Sequence, residues 1–118
     1  MTIAEQVRAA AAGEHPRLIA RMASGWLFLG DTQPLSGYCV LVADPVVGSL
    51  NALDEGARAI YLRDMGLVGD ALLAGLGAAR VNYEFWGNLD PTLHTHIVPR
   101  FSWEPASLRV LPPRQAYD

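Results

Sequence analysis

A long helical segment with strand-like runs on both sides is the feature that most constrains the fold. Asp54 is a suitable N-cap, apolar residues recur at helical spacing after it, and Gly77 can adopt the left-handed conformation that ends a helix. Residues 26–29 and 38–42 form two apolar runs separated by turn-forming residues. The pattern predicts two antiparallel strands followed by one long helix.

The rest of the chain adds strands after this helix and weaker elements at both ends. Residues 81–86 alternate between apolar and polar side chains, which predicts a strand, and a turn at 87–91 leads into a second strand at 93–100. The alanine-rich residues 2–22 predict one or two short helices. The proline-containing tail from Ser102 predicts no regular element and is expected to wrap the surface or a partner subunit. We therefore expect a single α+β domain, residues 1–118, with an antiparallel sheet.

His94 and His96 are the most informative candidates for chemistry. A strand sends alternate side chains to one face, so both imidazoles should project together. Such a pair can supply a neutral nucleophile with a proton donor beside it, or two ligands to a metal. If the two strands pair as a hairpin, Asn82 and Glu84 share this face.

Composition narrows the function classes. The net charge of −3 disfavours binding to nucleic acid polymers. All nine basic residues are arginines, so a P-loop lysine, a Schiff-base enzyme and a pyridoxal phosphate enzyme are excluded. No apolar run approaches a bilayer span, the N-terminus does not resemble a secretory signal, and Cys39 is the only cysteine. We expect a cytoplasmic protein without a membrane partner.

The order of these motifs resembles the histidine triad (HIT) family of nucleotide hydrolases and transferases. The resemblance runs from about Trp26 to Arg100 and is nearest to the bacterial diadenosine tetraphosphate hydrolase-like branch. The family motif has three histidines separated by single apolar residues and often followed by Pro-Arg. Aligning Pro99-Arg100 places His94 at the middle position and His96 at the third. Thr92 stands at the first position, so the motif is partial.

The resemblance implies a mechanism and a substrate class. His94 would attack the α-phosphate of a nucleotide to form a covalent nucleotidyl-histidine that water then hydrolyses. His96 would contact the leaving-group oxygen or stabilise charge on the phosphoryl oxygens. The implied substrates are dinucleoside polyphosphates or nucleotide conjugates, with no cofactor and no protein-bound metal. The implied assembly is a two-fold homodimer.

The same resemblance suggests four nucleotide-binding residues, each with a plainer structural alternative. Asn82 matches an asparagine that orients the phosphate or the catalytic histidine, or it bonds on the sheet surface. Asn88 matches the glutamine of a phosphate-binding loop, or it is a turn residue. Asp31 lies within one residue of a ribose contact, or it caps a loop. The Thr92 hydroxyl could bond phosphate or the His94 backbone.

Two departures from the family pattern keep other functions open. Thr92 replaces an imidazole, which allows a nucleotide-binding protein without turnover, and residues 43–48 lack the usual basic and histidine residues. A zinc site is the second alternative, and it requires His15, Glu84 or Cys39 as a third ligand.

Two expectations concern residues outside the site. Arg100 should be salt-bridged or solvated, and the tryptophans at 26, 86 and 103 should contact the core or a partner subunit.

Overall fold

A five-stranded antiparallel sheet with a long helix on one face forms the framework of the computed structural model, which describes residues 1–117. The strands are β1 (Leu18–Arg21), β2 (Gly25–Leu29), β3 (Cys39–Ala43), β4 (Arg80–Glu84) and β5 (His94–Arg100). The helices are α1 (Ile3–Ala11), α2 (Glu55–Leu76), α3 (Ala106–Arg109) and α4 (Pro113–Ala116), with a 3-10 turn at Leu50–Ala52. The strand order is β1-β2-β3-β5-β4, so β5 lies inside the sheet and β4 forms one edge. The α+β prediction is confirmed.

Helix α2 covers one face of the sheet and builds the main core. Its N-cap Asp54 accepts the N–H of Ala57 at 2.8 Å, and Gly77 ends it with a φ of 69°. The buried stripe is Tyr61, Met65, Val68 and Leu72, which packs against the side chains of β3 and β5 that point towards the helix. The Tyr61 hydroxyl bonds the Thr95 hydroxyl at 2.6 Å, so the polar group between the two histidines in sequence is satisfied inside the core.

Helix α1 covers part of the opposite face, the one that carries the histidines. Val7 and Ala10 of α1 pack against Phe28 and Val42. A capping box at Thr2 fixes the start of the helix, because the Thr2 hydroxyl accepts the Glu5 N–H at 3.1 Å. Ile3 and Gln6 of α1 line a cavity with His94 and His96, so this helix forms one side of the space next to the histidines.

Two sequence predictions for the chain ends were wrong in part. Residues 2–22 contain one helix, but Leu18–Arg21 form the edge strand β1, which pairs antiparallel with β2. Pairing with a neighbouring strand outweighs the local alanine-rich pattern here. The tail does form regular structure, in the short helices α3 and α4 that follow Pro105 and Pro112. Proline suits a helix start because its missing N–H would have no partner there.

A buried ion pair holds this tail against the sheet. Arg100, at the end of β5, contacts the Glu104 carboxylate at 3.0 Å, and both side chains are almost completely buried. The Arg100 guanidinium also donates to the carbonyls of Leu108 at 2.9 Å and Leu111 at 2.6 Å. The expectation of a salt-bridged strand end is confirmed. Within residues 1–117 no helix has the length and apolar character to cross a bilayer.

Candidate active site

His94 and His96 lie side by side on the face of the sheet that α1 partly covers. Their β3 partners in the register are Val42 and Val40, and Glu84 of β4 lies opposite His96. The two ring centroids are 5.1 Å apart, with the ring planes at 80°. Both side chains are half-buried, so they are neither in the core nor fully in solvent. The predicted same-face pair and the β4–β5 hairpin are both confirmed.

The hydrogen bond of His94 fixes which ring nitrogen carries the proton. Its Nδ1 lies 2.6 Å from the backbone carbonyl oxygen of Thr92. A carbonyl oxygen can only accept, so Nδ1 must be the donor. In the neutral ring, the lone pair is then on Nε2, which is the atom available to attack an electrophile. Thr92 thus acts on the site through its backbone.

His96 takes the opposite arrangement. The Tyr38 hydroxyl lies 2.6 Å from His96 Nδ1, and the two rings stack with centroids 5.9 Å apart. Burial raises the pKa of Tyr38, so the phenol keeps its proton, and we assign it as the donor to Nδ1. With this assignment, the His96 proton is on Nε2. The site presents a bare ring nitrogen on His94 beside an N–H donor on His96.

Burial keeps His96 neutral over the physiological range. Together with smaller effects of His94 and Arg114, it lowers the pKa of His96 from 6.5 to about 4. We expect NMR titration of the His96 ring to give a midpoint near 4. Because the unfolded chain binds this proton at a higher pH, the free energy of unfolding should fall as pH drops from 6.5 to 4. A midpoint near 6.5 would contradict the buried arrangement.

Three cavities contain His96, and two of them also contain His94. The first, of about 160 Å³, lies between α1 and the sheet and is lined by Ile3, Gln6 and Asp31 as well as both histidines. The second, of about 400 Å³, is lined by the 86–90 loop, both histidines and Arg114. The third, of about 550 Å³, contains His96, Arg114 and residues of the 32–38 loop. The pair is therefore accessible to a ligand with several parts.

Solved structures share this architecture. A Hit-like protein involved in cell-cycle regulation from Bartonella henselae, solved with an unknown ligand, superposes with a TM-score of 0.68 at 14% identity, covering 84% of this chain and 83% of that one. The chain has the HIT-like fold. A histidine triad protein from Bradyrhizobium japonicum superposes with a TM-score of 0.63 at 24% identity, covering 82% of this chain and 77% of that one. A histidine triad protein from Marinobacter aquaeolei superposes with a TM-score of 0.64 at 18% identity, covering 84% of this chain and 70% of that one.

These similarities concern the fold, because the identities are low. No protein-family model matches the sequence, and no curated protein matches it significantly. The shared fold therefore does not by itself specify the chemistry of this chain's side chains.

The HIT-like fold brings most of the predicted site residues to the histidines. Asp31 lines the 160 Å³ cavity and Asn88 lines the 400 Å³ cavity, each together with both histidines. Thr92 lines a further cavity of about 220 Å³ with His94. Asn82 shares the face but is engaged elsewhere, because its side-chain oxygen accepts a bond from Arg100 at 3.0 Å.

Two residues at the site escaped the sequence analysis. Tyr38 precedes β3, and it could have been found because it is two residues from Val40, on the face that carries His96. Arg114 belongs to the short helix α4, in the proline-containing tail where the sequence shows no periodicity. Tyr38 belongs to the 38–42 run that contributes to the resemblance, but no chemical role was predicted for it.

The expectation for the tryptophans is confirmed for Trp26, which packs against the core cluster that contains Phe28 and Val42, and partner-subunit contact stays a prediction for Trp86 and Trp103. Trp86 and Trp103 are 72% and 68% exposed, so neither lies in the core. Trp86 instead stands beside the site, where it lines two of the cavities that contain His94. Trp26 is half-buried and its indole N–H donates to Asp44 at 2.8 Å. Trp86 is therefore an exposed aromatic residue beside His94, in addition to Tyr38 beside His96.

The geometry does not favour the zinc alternative. Among residues 1–117, no group of three histidine, cysteine or acidic side chains lies close enough to hold a metal ion. His15 bonds Gln6 and the Arg17 N–H away from the pair, and Cys39 is buried on the helix α2 side of the sheet.

Proposed function

We propose that this protein is a HIT-family nucleotide hydrolase or nucleotidyl transferase that acts at the α-phosphate of dinucleoside polyphosphates or nucleotide conjugates. The observation that carries the proposal is the 2.6 Å bond from His94 Nδ1 to the Thr92 carbonyl. It directs a basic ring nitrogen into an accessible site, next to a neutral N–H donor. This pairing suits nucleophilic attack followed by stabilisation of a leaving oxygen.

The first step forms a bond between His94 Nε2 and the α-phosphorus while the bond from phosphorus to the leaving group breaks. The His96 Nε2–H donates a hydrogen bond to the leaving oxygen or to a phosphoryl oxygen, where negative charge develops. The Thr92 carbonyl stabilises the imidazolium through Nδ1–H. The product is a nucleotidyl-histidine and a free leaving group.

The second step is attack of water on the same phosphorus. It forms a phosphorus–oxygen bond, breaks the nitrogen–phosphorus bond and returns the electron pair to Nε2, so that a nucleoside monophosphate is released and the proton lost by the water passes to solvent. Replacing water with another acceptor gives transfer. Two moderate barriers replace one high barrier, which is the advantage of a covalent intermediate.

The cavities support a nucleotide as ligand. The 160 Å³ cavity is lined by the apolar side chain of Ile3 and by Asp31, a combination suited to an apolar base edge and ribose hydroxyls. Asn88, in the loop that follows Gly87, supplies amide hydrogens beside both histidines. Gly87 has a φ of 72°, so the loop depends on glycine at this position.

Adduct trapping tests the proposal. Wild-type protein is incubated with radiolabelled diadenosine tetraphosphate, the first substrate to try given the sequence resemblance, and is then quenched in alkali and separated from free nucleotide. We expect label on the wild-type protein and on His96→Ala, but none on His94→Ala. Arg63→Gln is the control, since this arginine is exposed on α2, away from the histidine pair.

The outcomes discriminate between the hypotheses. An adduct that persists in His94→Ala refutes the assigned nucleophile. Nucleotide binding without any adduct or product in wild type selects the non-catalytic binding protein instead. Stoichiometric metal in protein purified without a metal column selects the zinc site.

We also propose a cytoplasmic homodimer. Strand β4 is an open edge of the sheet, and Tyr83 of β4 and Leu62, Leu73 and Leu76 of α2 are each at least 40% exposed. An apolar surface that continues from an edge strand onto a helix suits two-fold pairing. The location rests on the lone buried thiol of Cys39, which suits a reducing compartment.

We expect light scattering to give twice the 12.8 kDa chain mass for the wild type. Leu73→Glu places a charge in the proposed interface and should yield the monomer. Ile19→Glu, on the opposite edge strand β1, is the matched control and should remain dimeric. A monomeric wild type at micromolar concentration would contradict the dimer.

A further inference from the structure

Arg114 stands at the histidine pair, although it comes from the C-terminal tail. It lines the 400 Å³ cavity with both histidines and the 550 Å³ cavity with His96. No other arginine lines either cavity, and the chain contains no lysine. Both salt bridges formed among residues 1–117 involve other arginines. Arg114 thus supplies the cationic side chain at these two cavities.

The tail holds Arg114 in position from both sides. On the N-terminal side, the Leu111 carbonyl accepts a 2.6 Å bond from the buried guanidinium of Arg100. On the C-terminal side, the Tyr117 hydroxyl donates a 2.6 Å bond to Glu104, the ion-pair partner of Arg100. One buried network therefore anchors both ends of the α4 turn. The Arg114 side chain is itself exposed, so the network fixes the backbone that presents the guanidinium and leaves the guanidinium open to an anion.

The cavities also divide the site into two sides. The cavity that contains Ile3 and Gln6 of α1 lacks Arg114, and the two cavities that contain Arg114 lack every residue of α1. Both histidines line the α1 cavity and the 400 Å³ cavity, so they lie at the boundary. If the nucleoside occupies the α1 side, the group that leaves from the α-phosphorus is on the Arg114 side.

We propose that Arg114 is a specificity residue that selects substrates whose leaving group is a polyphosphate. This inference rests on the proposed function and assigns the substrate class within it. A guanidinium pairs with phosphate oxygens through two parallel hydrogen bonds. Asp90 also lines the 400 Å³ cavity, but its carboxylate already accepts the N–H groups of Ile3 and Thr92. Glu84, in the larger cavity, lies opposite His96 and disfavours an anion there.

Two substrates separate the role of Arg114 from the chemistry at His94. With diadenosine tetraphosphate, attack at the α-phosphorus breaks a phosphorus–oxygen bond and releases ATP as an anion, and water then releases AMP. With adenosine 5′-phosphoramidate, attack breaks the phosphorus–nitrogen bond, the nitrogen takes a proton from solvent water, and ammonia leaves. The covalent intermediate is the same in both reactions. Only the first leaving group offers phosphate oxygens to a guanidinium.

The experiment compares kcat/KM for both substrates in Arg114→Gln. We expect a loss of about 10- to 100-fold with diadenosine tetraphosphate, as for one charge-assisted hydrogen bond, and a change under about threefold with the phosphoramidate. Arg63→Gln is the control, since this arginine is exposed on α2, away from the site. An equal loss on both substrates, or no loss with the polyphosphate, overturns the inference.

A binding measurement keeps this test independent of turnover. If the wild type turns over neither substrate, the proposed function has failed, but calorimetric titration with inorganic tripolyphosphate still probes Arg114. We expect about tenfold weaker binding in Arg114→Gln than in the wild type at low salt, with Arg63→Gln unchanged. Equal affinity in the wild type and Arg114→Gln would overturn the inference.

Discussion

The His94→Ala variant is expected to lose at least about 10³-fold in turnover of diadenosine tetraphosphate, because removal of a covalent nucleophile leaves only positioning and electrostatic effects. Nucleotide affinity should change little, since the cavities at α1 and at the 86–90 loop remain. The measurement is steady-state product formation with calorimetric binding on the same samples. The large loss in rate with small loss in affinity identifies a group that acts in the transition state.

Chemical rescue distinguishes a missing nucleophile from a distorted site. Imidazole added to His94→Gly should restore part of the turnover, because the free ring can occupy the vacated space and attack the same phosphorus. His96→Gly is the matched variant, and there imidazole should restore less, because it must also accept the Tyr38 bond to be fixed as a donor. Turnover in His94→Ala within tenfold of the wild type would contradict the mechanism.

The Glu104→Ala variant is expected to lose about 3–5 kcal/mol in the free energy of unfolding. Removing this carboxylate leaves the Arg100 guanidinium buried without a counter-charge, and it also removes the acceptor for the Phe101 N–H at 2.6 Å. The measurement is urea denaturation at pH 7. Glu14→Ala is the matched control, since Glu14 is exposed, and it should change the free energy of unfolding by less than about 0.5 kcal/mol.

The Arg100–Glu104 ion pair also contributes to the way the free energy of unfolding depends on pH in acid. Burial opposes the charged form of Glu104, but the bonds from Arg100, Tyr117 and the Phe101 N–H outweigh it and lower the pKa of the carboxyl. A lowered folded pKa contributes stability above the unfolded value, about 4.3, which is lost as pH falls through the folded value. Glu104→Gln should therefore flatten the decline in unfolding free energy below about pH 4.3. A decline as steep in Glu104→Gln as in the wild type would contradict this account.

The parts of the fold that local pattern determines could be predicted. The α2 boundaries follow from the Asp54 cap and Gly77, and the shared face of His94 and His96 follows from strand geometry. The edge strand β1 could not be predicted, because its half-buried side chains carry a weak pattern and its structure depends on pairing with β2.

The candidate site was predictable only where its residues lie in the motif. The role of Thr92 depends on a backbone carbonyl, which no side-chain comparison reveals. Arg114 reaches the histidines because Arg100, fourteen residues earlier, binds the carbonyls of the tail. The position of Arg114 therefore depends on a buried guanidinium that is distant in sequence, and the residues next to 114 give no sign of it.

The tautomers of the two rings provide the most direct test of the account, since they decide which nitrogen can attack and which can donate. Long-range nitrogen–proton NMR correlation on uniformly ¹⁵N-labelled protein at neutral pH reports them without substrate, and His94→Ala and His96→Ala assign the signals. We expect His94 to carry its proton on Nδ1 and His96 to carry its proton on Nε2. A proton on Nε2 of neutral His94, or the same tautomer in both rings, would contradict the account.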